Sequence, residues 1–186
     1  MLEATRRGFM RGGAALAVGF ATRSAHATLV RGLSLPVLVH RSERIAIIEP
    51  LDAVSLYAEI GGRRSIVTDT RVRIHEHWRA GAETELTLRT LGGRLDDVGE
   101  LVHGQPVLES GVHALAFLKL GRERQVWWTT GMAQGHFPLT GSTETSRLLA
   151  SRGLPSIVNL EASAVKRLVG RQVNEAREMT QKVSAP

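Results

Sequence analysis

The stretch from residue 91 to residue 137 constrains the fold most, because glycines and apolar runs follow one another along it. The glycines stand where extended segments would have to turn, which suits a residue that tolerates unusual backbone angles. The run 112–120 between them is apolar at almost every position. A strand of that kind is covered on both faces. The stretch therefore predicts short, buried strands joined by tight turns.

The clearest strand precedes it, at residues 66–78. Side chains of a strand alternate between its two faces, so this segment has an apolar face that includes Ile66, Val72 and Ile74. The segment 85–91 repeats the alternation, with Leu86 and Leu88 inward and Glu85, Thr87 and Arg89 outward. The opposite face of residues 66–78 is expected to be wet and charged, and it carries Asp69, Arg71, Arg73, His75 and His77.

A long strand with one defect is predicted from residue 44 to residue 59. Pro50 cannot donate to a strand ladder, so it marks an edge, a bulge or a bend. Gly61-Gly62 then forms a hairpin turn. A short helix is predicted over residues 34–43, with Pro36 in its first turn.

The C-terminal part changes character after residue 139. A polar linker begins at residue 140, and residues 160–183 predict an amphipathic helix with Asn159 as its N-cap. We expect the helix to cover the second face of the strand 112–120; the alternative is a dimerisation or docking helix. Its apolar stripe consists of Val165, Leu168, Val169, Val173, Ala176 and Met179.

Few strands in a meander, with little helix between them, predict a mainly β fold. We expect a small antiparallel five-stranded barrel of the OB type, or a sandwich, followed by the C-terminal amphipathic helix. The predicted organisation is an export signal over residues 1–27, a β-barrel domain over residues 28–139, and a linker with the helix over residues 140–186.

The N-terminus predicts export. Arg6 and Arg7 precede Phe9, a short apolar run follows, and Ala25 and Ala27 form an A-x-A cleavage site. The paired arginines favour the twin-arginine route. The apolar run is too short to span a bilayer, so we expect membrane contact only during export. The expected location is the periplasm or the exterior.

Composition removes several kinds of chemistry. The chain has 186 residues and no cysteine, which excludes disulfides, cysteine–zinc sites and thiol catalysis. Apolar residues make up 42% of the chain, enough for a packed core. The formal net charge is +6, and part of that excess lies in the predicted signal.

Between residues 44 and 139 the sequence contains a spaced pattern of segments: Ile66-Val67-Thr68-Asp69, Gly92-Gly93, Gly99, Val102-x-Gly104-x-Pro106, Gly111, Leu115-x-Phe117-Leu118 and Gly131-x-x-Gln134-Gly135-x-Phe137. This pattern resembles that of a group of uncharacterised exported bacterial proteins with a small β-barrel core. That resemblance implies a fold and no activity. A looser likeness in shape is to the netrin-like and metalloproteinase-inhibitor barrels, whose inhibitory N-terminal cysteine this chain lacks.

His75 and His77 form the motif that most suggests chemistry. Two histidines at i and i+2 on a strand point the same way, which suits zinc or copper. A third ligand would have to come from His103, His113 or His136. The alternative interpretation is a solvated strand face, because transition-metal sites normally need three or more ligands.

The sequence contains no motif typical of nucleophilic catalysis or of phosphate binding. We therefore expect a non-enzymatic, soluble binding module whose partner is a protein or an envelope component, with no cofactor. The alternative is a metal-binding protein or metallohydrolase that uses His75 and His77 with zinc or copper. Nucleic acid is not expected, since aromatic residues are 4% of the chain and export removes it from the cytoplasm. The expected contact residues are Arg71, Arg73, Trp127 and Trp128.

Overall fold

The computed structural model describes residues 32–122, 125–141, 146–149 and 157–184. The predicted signal residues, Arg6, Arg7, Phe9, Ala25 and Ala27, lie outside these ranges. A 3₁₀ turn spans Met132–Gly135. The other elements are α1 (Leu35–Arg41), β1 (Arg44–Ile60), β2 (Arg63–Arg79), β3 (Glu85–Leu91), β4 (Gly93–Leu95), β5 (Val98–Glu100), β6 (Ala114–Leu120), β7 (Trp127–Thr129), β8 (His136–Pro138) and α2 (Ala162–Ser184).

The longest pairing is the β1–β2 hairpin, which is antiparallel over almost its whole length. Gly61 and Gly62 both have positive φ, at 59° and 79°, as the two central residues of a type I′ hairpin turn require. The predicted defect at Pro50 is confirmed, because the register shifts between Pro50 and Ala53. On its other edge β1 pairs with β6 over residues 44–48, the part of the strand that precedes this irregularity.

The strands form a partly closed ring in the order β1-β2-β3-β7-β6, with β6 returning to β1 and β8 added beside β6. The predicted small, mainly β barrel with a C-terminal helix is confirmed. One detail of the prediction is wrong, since the contact that completes the ring is parallel. It joins Leu88 of β3 to Trp127 of β7, whereas all other pairings among the described strands are antiparallel.

Strand β6 is buried on both faces over Ala114 to Leu118, as its nearly continuous apolar run predicted. Ala114, Ala116 and Leu118 face the first cluster, which also contains residues of β1, β2 and β3. Leu115 and Phe117 face a second cluster, where helices α1 and α2 supply much of the cover. Each buried leucine or phenylalanine contributes about 1.5–3 kcal/mol, so the two clusters hold the sheet from both sides.

Helix α2 packs onto the sheet, as expected for its apolar stripe. Val165, Val169 and Val173 are buried in the second cluster. The side chain of Met179 lies outside the described part. Asn159 is not the N-cap, which corrects the prediction: the helix begins at Ala162, and Asn159 has a left-handed φ of 63°. None of the helices among the described residues has the length and apolar character needed to cross a bilayer.

Candidate metal centre

Strand β1 contributes Glu49 to the candidate site. It lies immediately before Pro50, where the regular register with β2 is lost. Its direct cross-strand partner is Arg73. Because Glu49 is on the same sheet face as the charged side of β2, its carboxylate reaches the histidines of that face. Its side chain is 20% exposed, so water reaches it only in part.

His75 lies two residues along β2 from Arg73 and therefore on the same face. Its Nε2 is 2.8 Å from Oε2 of Glu49. With 37% of its side chain exposed, the ring is open to solvent on one side. The alternation predicted for this strand thus places His75 on the wet face, as expected.

His113 approaches the same place from the start of β6. The loop before it is tied to β1, since Gly111 N donates to Pro50 O at 2.9 Å. Leu139 N donates to the carbonyl of His113 itself at 2.8 Å. These bonds hold the ring centroids of His113 and His75 at 4.4 Å, with a tilt of 50°.

The surroundings of Glu49 and His113 favour the protonation states that bind metal. The hydrogen bond from His75 lowers the pKa of Glu49, so this carboxylate is ionised at neutral pH. Burial lowers the pKa of His113, with a further contribution from the nearby His75. A neutral imidazole and an ionised carboxylate are the forms that coordinate a transition metal.

The geometry of the group suits a small cation. One ligand atom from each of Glu49, His75 and His113 lies within 4.8 Å of the others. Tetrahedral zinc places its ligand atoms about 3.4 Å apart, so the side chains would have to move inward to hold such an ion. Two imidazoles and one carboxylate are a ligand set typical of zinc, and they leave at least one position for an outside ligand.

His77, the predicted partner of His75, lies outside this group. Its Nδ1 is 3.2 Å from Ala80 O and its Nε2 is 3.1 Å from Glu83 O, so both nitrogens face carbonyls of the β2–β3 turn. The strand alternation gave no sign of this turn, which follows β2 directly. Of the three histidines predicted as possible third ligands, the structure brings His113 to His75.

The two arginines predicted as contact residues differ in their surroundings. Arg71 donates from Nε to Asp52 at 2.8 Å, and its Nη2 is 2.7 Å from the same oxygen. Arg73 is 3.8 Å from Glu49 and 3.9 Å from Glu85. Acidic neighbours thus offset much of the positive charge on this face.

The burial of Arg89 differs from the prediction. It was predicted to point outward, but it is 8% exposed and forms a two-pronged ion pair with Asp69 at 2.6 and 2.7 Å. The two residues are direct cross-strand partners in the β2–β3 register. Pairing at this distance compensates the charge, which permits burial.

Trp127 and Trp128 are both half-buried. Trp127 packs against the first cluster, and the guanidinium of Arg44 lies 4.4 Å from its ring centroid. Trp128 lies over Gly121, where a Cβ would come within 2.9 Å of its Nε1. Each tryptophan therefore has cover on at least one side.

Comparisons of this chain with protein-family models, with curated proteins and with solved structures gave no match. The resemblance to exported β-barrel proteins stays a prediction.

Glu49 is the member of the candidate metal centre that the sequence analysis missed. One signal pointed to it: an acidic residue directly before the proline that breaks a long strand, in a hairpin whose other arm carries His75.

Proposed function

We propose that this protein binds a transition-metal ion, zinc(II) or copper(II), through Glu49, His75 and His113. The observation that carries the proposal is the convergence of these three side chains from β1, β2 and the start of β6. Their donor types match those that zinc and copper prefer in proteins. The hydrogen bond between Glu49 and His75 is the contact that the metal would replace.

We propose further that binding takes place outside the cytoplasm. The support is the N-terminal pattern of Arg6, Arg7 and Phe9 followed by Ala25 and Ala27. Binding of a protein or an envelope component remains the other candidate function. The half-buried tryptophans and the arginine-bearing face of β2 are the features that favour it.

Calorimetric titration of the metal-free protein with zinc and with copper tests the metal proposal. We expect one saturable site per chain. His113→Ala and Glu49→Gln should each weaken metal binding by at least about tenfold, because each removes a ligand. His77→Ala is the matched control, since it removes a neighbouring histidine of the same strand and should leave the affinity unchanged.

Two results would overturn the proposal. One is the absence of heat from either metal at micromolar concentrations with a correctly folded protein. The other is a loss of binding in His77→Ala with full binding in His113→Ala. Circular dichroism of each variant separates a lost ligand from a lost fold.

A further inference from the structure

Arg73 differs from Arg71, the other arginine on the charged face of β2, because the N–H donors of its guanidinium are unused. Its contacts with Glu49 and Glu85, at 3.8 and 3.9 Å, are longer than hydrogen bonds. Within the described part of the chain its guanidinium makes no hydrogen bond, and 51% of the side chain is exposed. A guanidinium has five N–H donors in a planar fork, so this one is free to receive an acceptor from solution.

Arg71, two residues away on the same strand face, is the natural comparison. Its exposure is similar, at 57%, but Asp52 accepts hydrogen bonds from it. That hydrogen bond raises the pKa of Arg71 and holds its guanidinium in place. Exposure alone therefore does not explain why the guanidinium donors of Arg73 are unused; the difference is that neither acidic neighbour of Arg73 is within hydrogen-bond distance.

Arg73 also lies beside the candidate metal centre. Its Nη1 is 3.8 Å from Oε2 of Glu49, the oxygen that faces His75. A metal bound to that oxygen at about 2.1 Å would be within about 6 Å of the guanidinium. The metal would also take up negative charge of Glu49 that now attracts Arg73, which strengthens the attraction of Arg73 for an outside anion.

A ligand that suits both groups must carry two negatively polarised oxygens. One oxygen would fill the position that two histidines and a carboxylate leave open on the metal. Another would accept from the guanidinium, which matches carboxylates and phosphates through its planar fork. A cation or an apolar ligand would meet neither requirement.

We infer that the metal-loaded centre binds a small oxyanion, a carboxylate or a phosphate group, bridged between the metal and Arg73. This inference rests on the proposed metal function and adds the class of ligand that the centre takes. Glu85, the cross-strand partner of Arg73 on β3, lies 3.9 Å from its Nε, beyond hydrogen-bond distance.

The test uses cobalt(II), whose visible spectrum reports changes among its ligands. The cobalt-loaded protein is titrated with inorganic phosphate and, separately, with acetate. We expect a saturable spectral change with each. Arg73→Gln should weaken anion binding on the order of tenfold, which corresponds to the loss of one charge-assisted hydrogen bond. Arg71→Gln is the matched control and should bind the anions like the unmodified protein.

The outcomes separate the two proposals. If no cobalt spectrum develops, the metal function itself fails. If cobalt binds but neither anion alters its spectrum, or if Arg73→Gln and Arg71→Gln behave alike, the oxyanion inference is wrong and metal binding stands. Equal affinity of phosphate for the metal-free protein would also contradict the bridged arrangement. A response to one anion alone supports the inference and identifies whether phosphate or carboxylate is the source of the oxygens.

Discussion

His75, His113 and His136 occupy different surroundings, and these surroundings decide what each imidazole can do. His75 and His113 share the neighbourhood of Glu49 and stay accessible to water. His136, on β8, is 5% exposed, and its Nε2 has no hydrogen-bond partner among the described residues. Burial lowers the pKa of His136 to about 4. The folded protein therefore keeps this ring neutral, whereas the unfolded chain protonates it near its ordinary pKa of 6.5.

His136 should make the protein sensitive to acid. A histidine whose folded pKa is depressed contributes stability that is present above 6.5 and is lost as the pH falls toward about 4. Between about pH 7.5 and about pH 5 the free energy of unfolding should fall by about 2 kcal/mol from this group. His136→Leu should lack that part of the pH dependence in denaturant unfolding. His40→Leu, an exposed control, should keep it; equal slopes in both variants would contradict the assignment.

At the scale of the residue, Arg89 shows why the alternation pattern alone was insufficient to predict which side chains are buried. Alternation along β3 assigned Arg89 to the wet face, and the charge of the side chain supported that assignment. The pattern carries no information on which residue of β2 lies opposite. Only the register reveals that Asp69 stands directly across the pair of strands, close enough to neutralise the guanidinium.

Among the elements, those with clear turn residues or a clear pattern of apolar residues were predictable from the sequence. The hairpin at Gly61-Gly62, the interruption at Pro50 and the two-sided burial of β6 follow from turn chemistry and apolar patterning. Helix α2 was predicted by its stripe, but its start was misplaced. Asn159 suits both an N-cap and a left-handed turn residue, and here it takes the left-handed turn before the helix.

Helix α2 should contribute to stability through its packed valines. Val169 is fully buried against the second cluster. Val169→Ala should lower the free energy of unfolding by about 1–3 kcal/mol, because it removes buried methyl groups and leaves a cavity. Asn174→Ala, on the exposed side of the helix, serves as the control. A Val169→Ala protein of unchanged stability whose self-association is weaker would instead support the alternative of a dimerisation helix.

At the scale of the whole molecule, ring closure creates the candidate site. Glu49 and His75 are 26 residues apart, and His113 lies further along the chain, beyond three more strands and a loop. Their meeting depends on β1 pairing with both β2 and β6. The sequence named the histidines but not which of them converge, because that follows from strand order and from the loop tied to Pro50. The place of Glu49 in the candidate site depends on the same closure of the ring of strands.

The most direct test of the proposed metal centre is a zinc titration followed by the ring-nitrogen signals of the histidines in nuclear magnetic resonance. We predict that the signals of His75 and His113 change together and saturate at one zinc per chain. Those of His77 and His103 should stay where they are. Saturating changes at His75 and His77 with none at His113, or no change at any histidine, would contradict a metal centre formed by Glu49, His75 and His113.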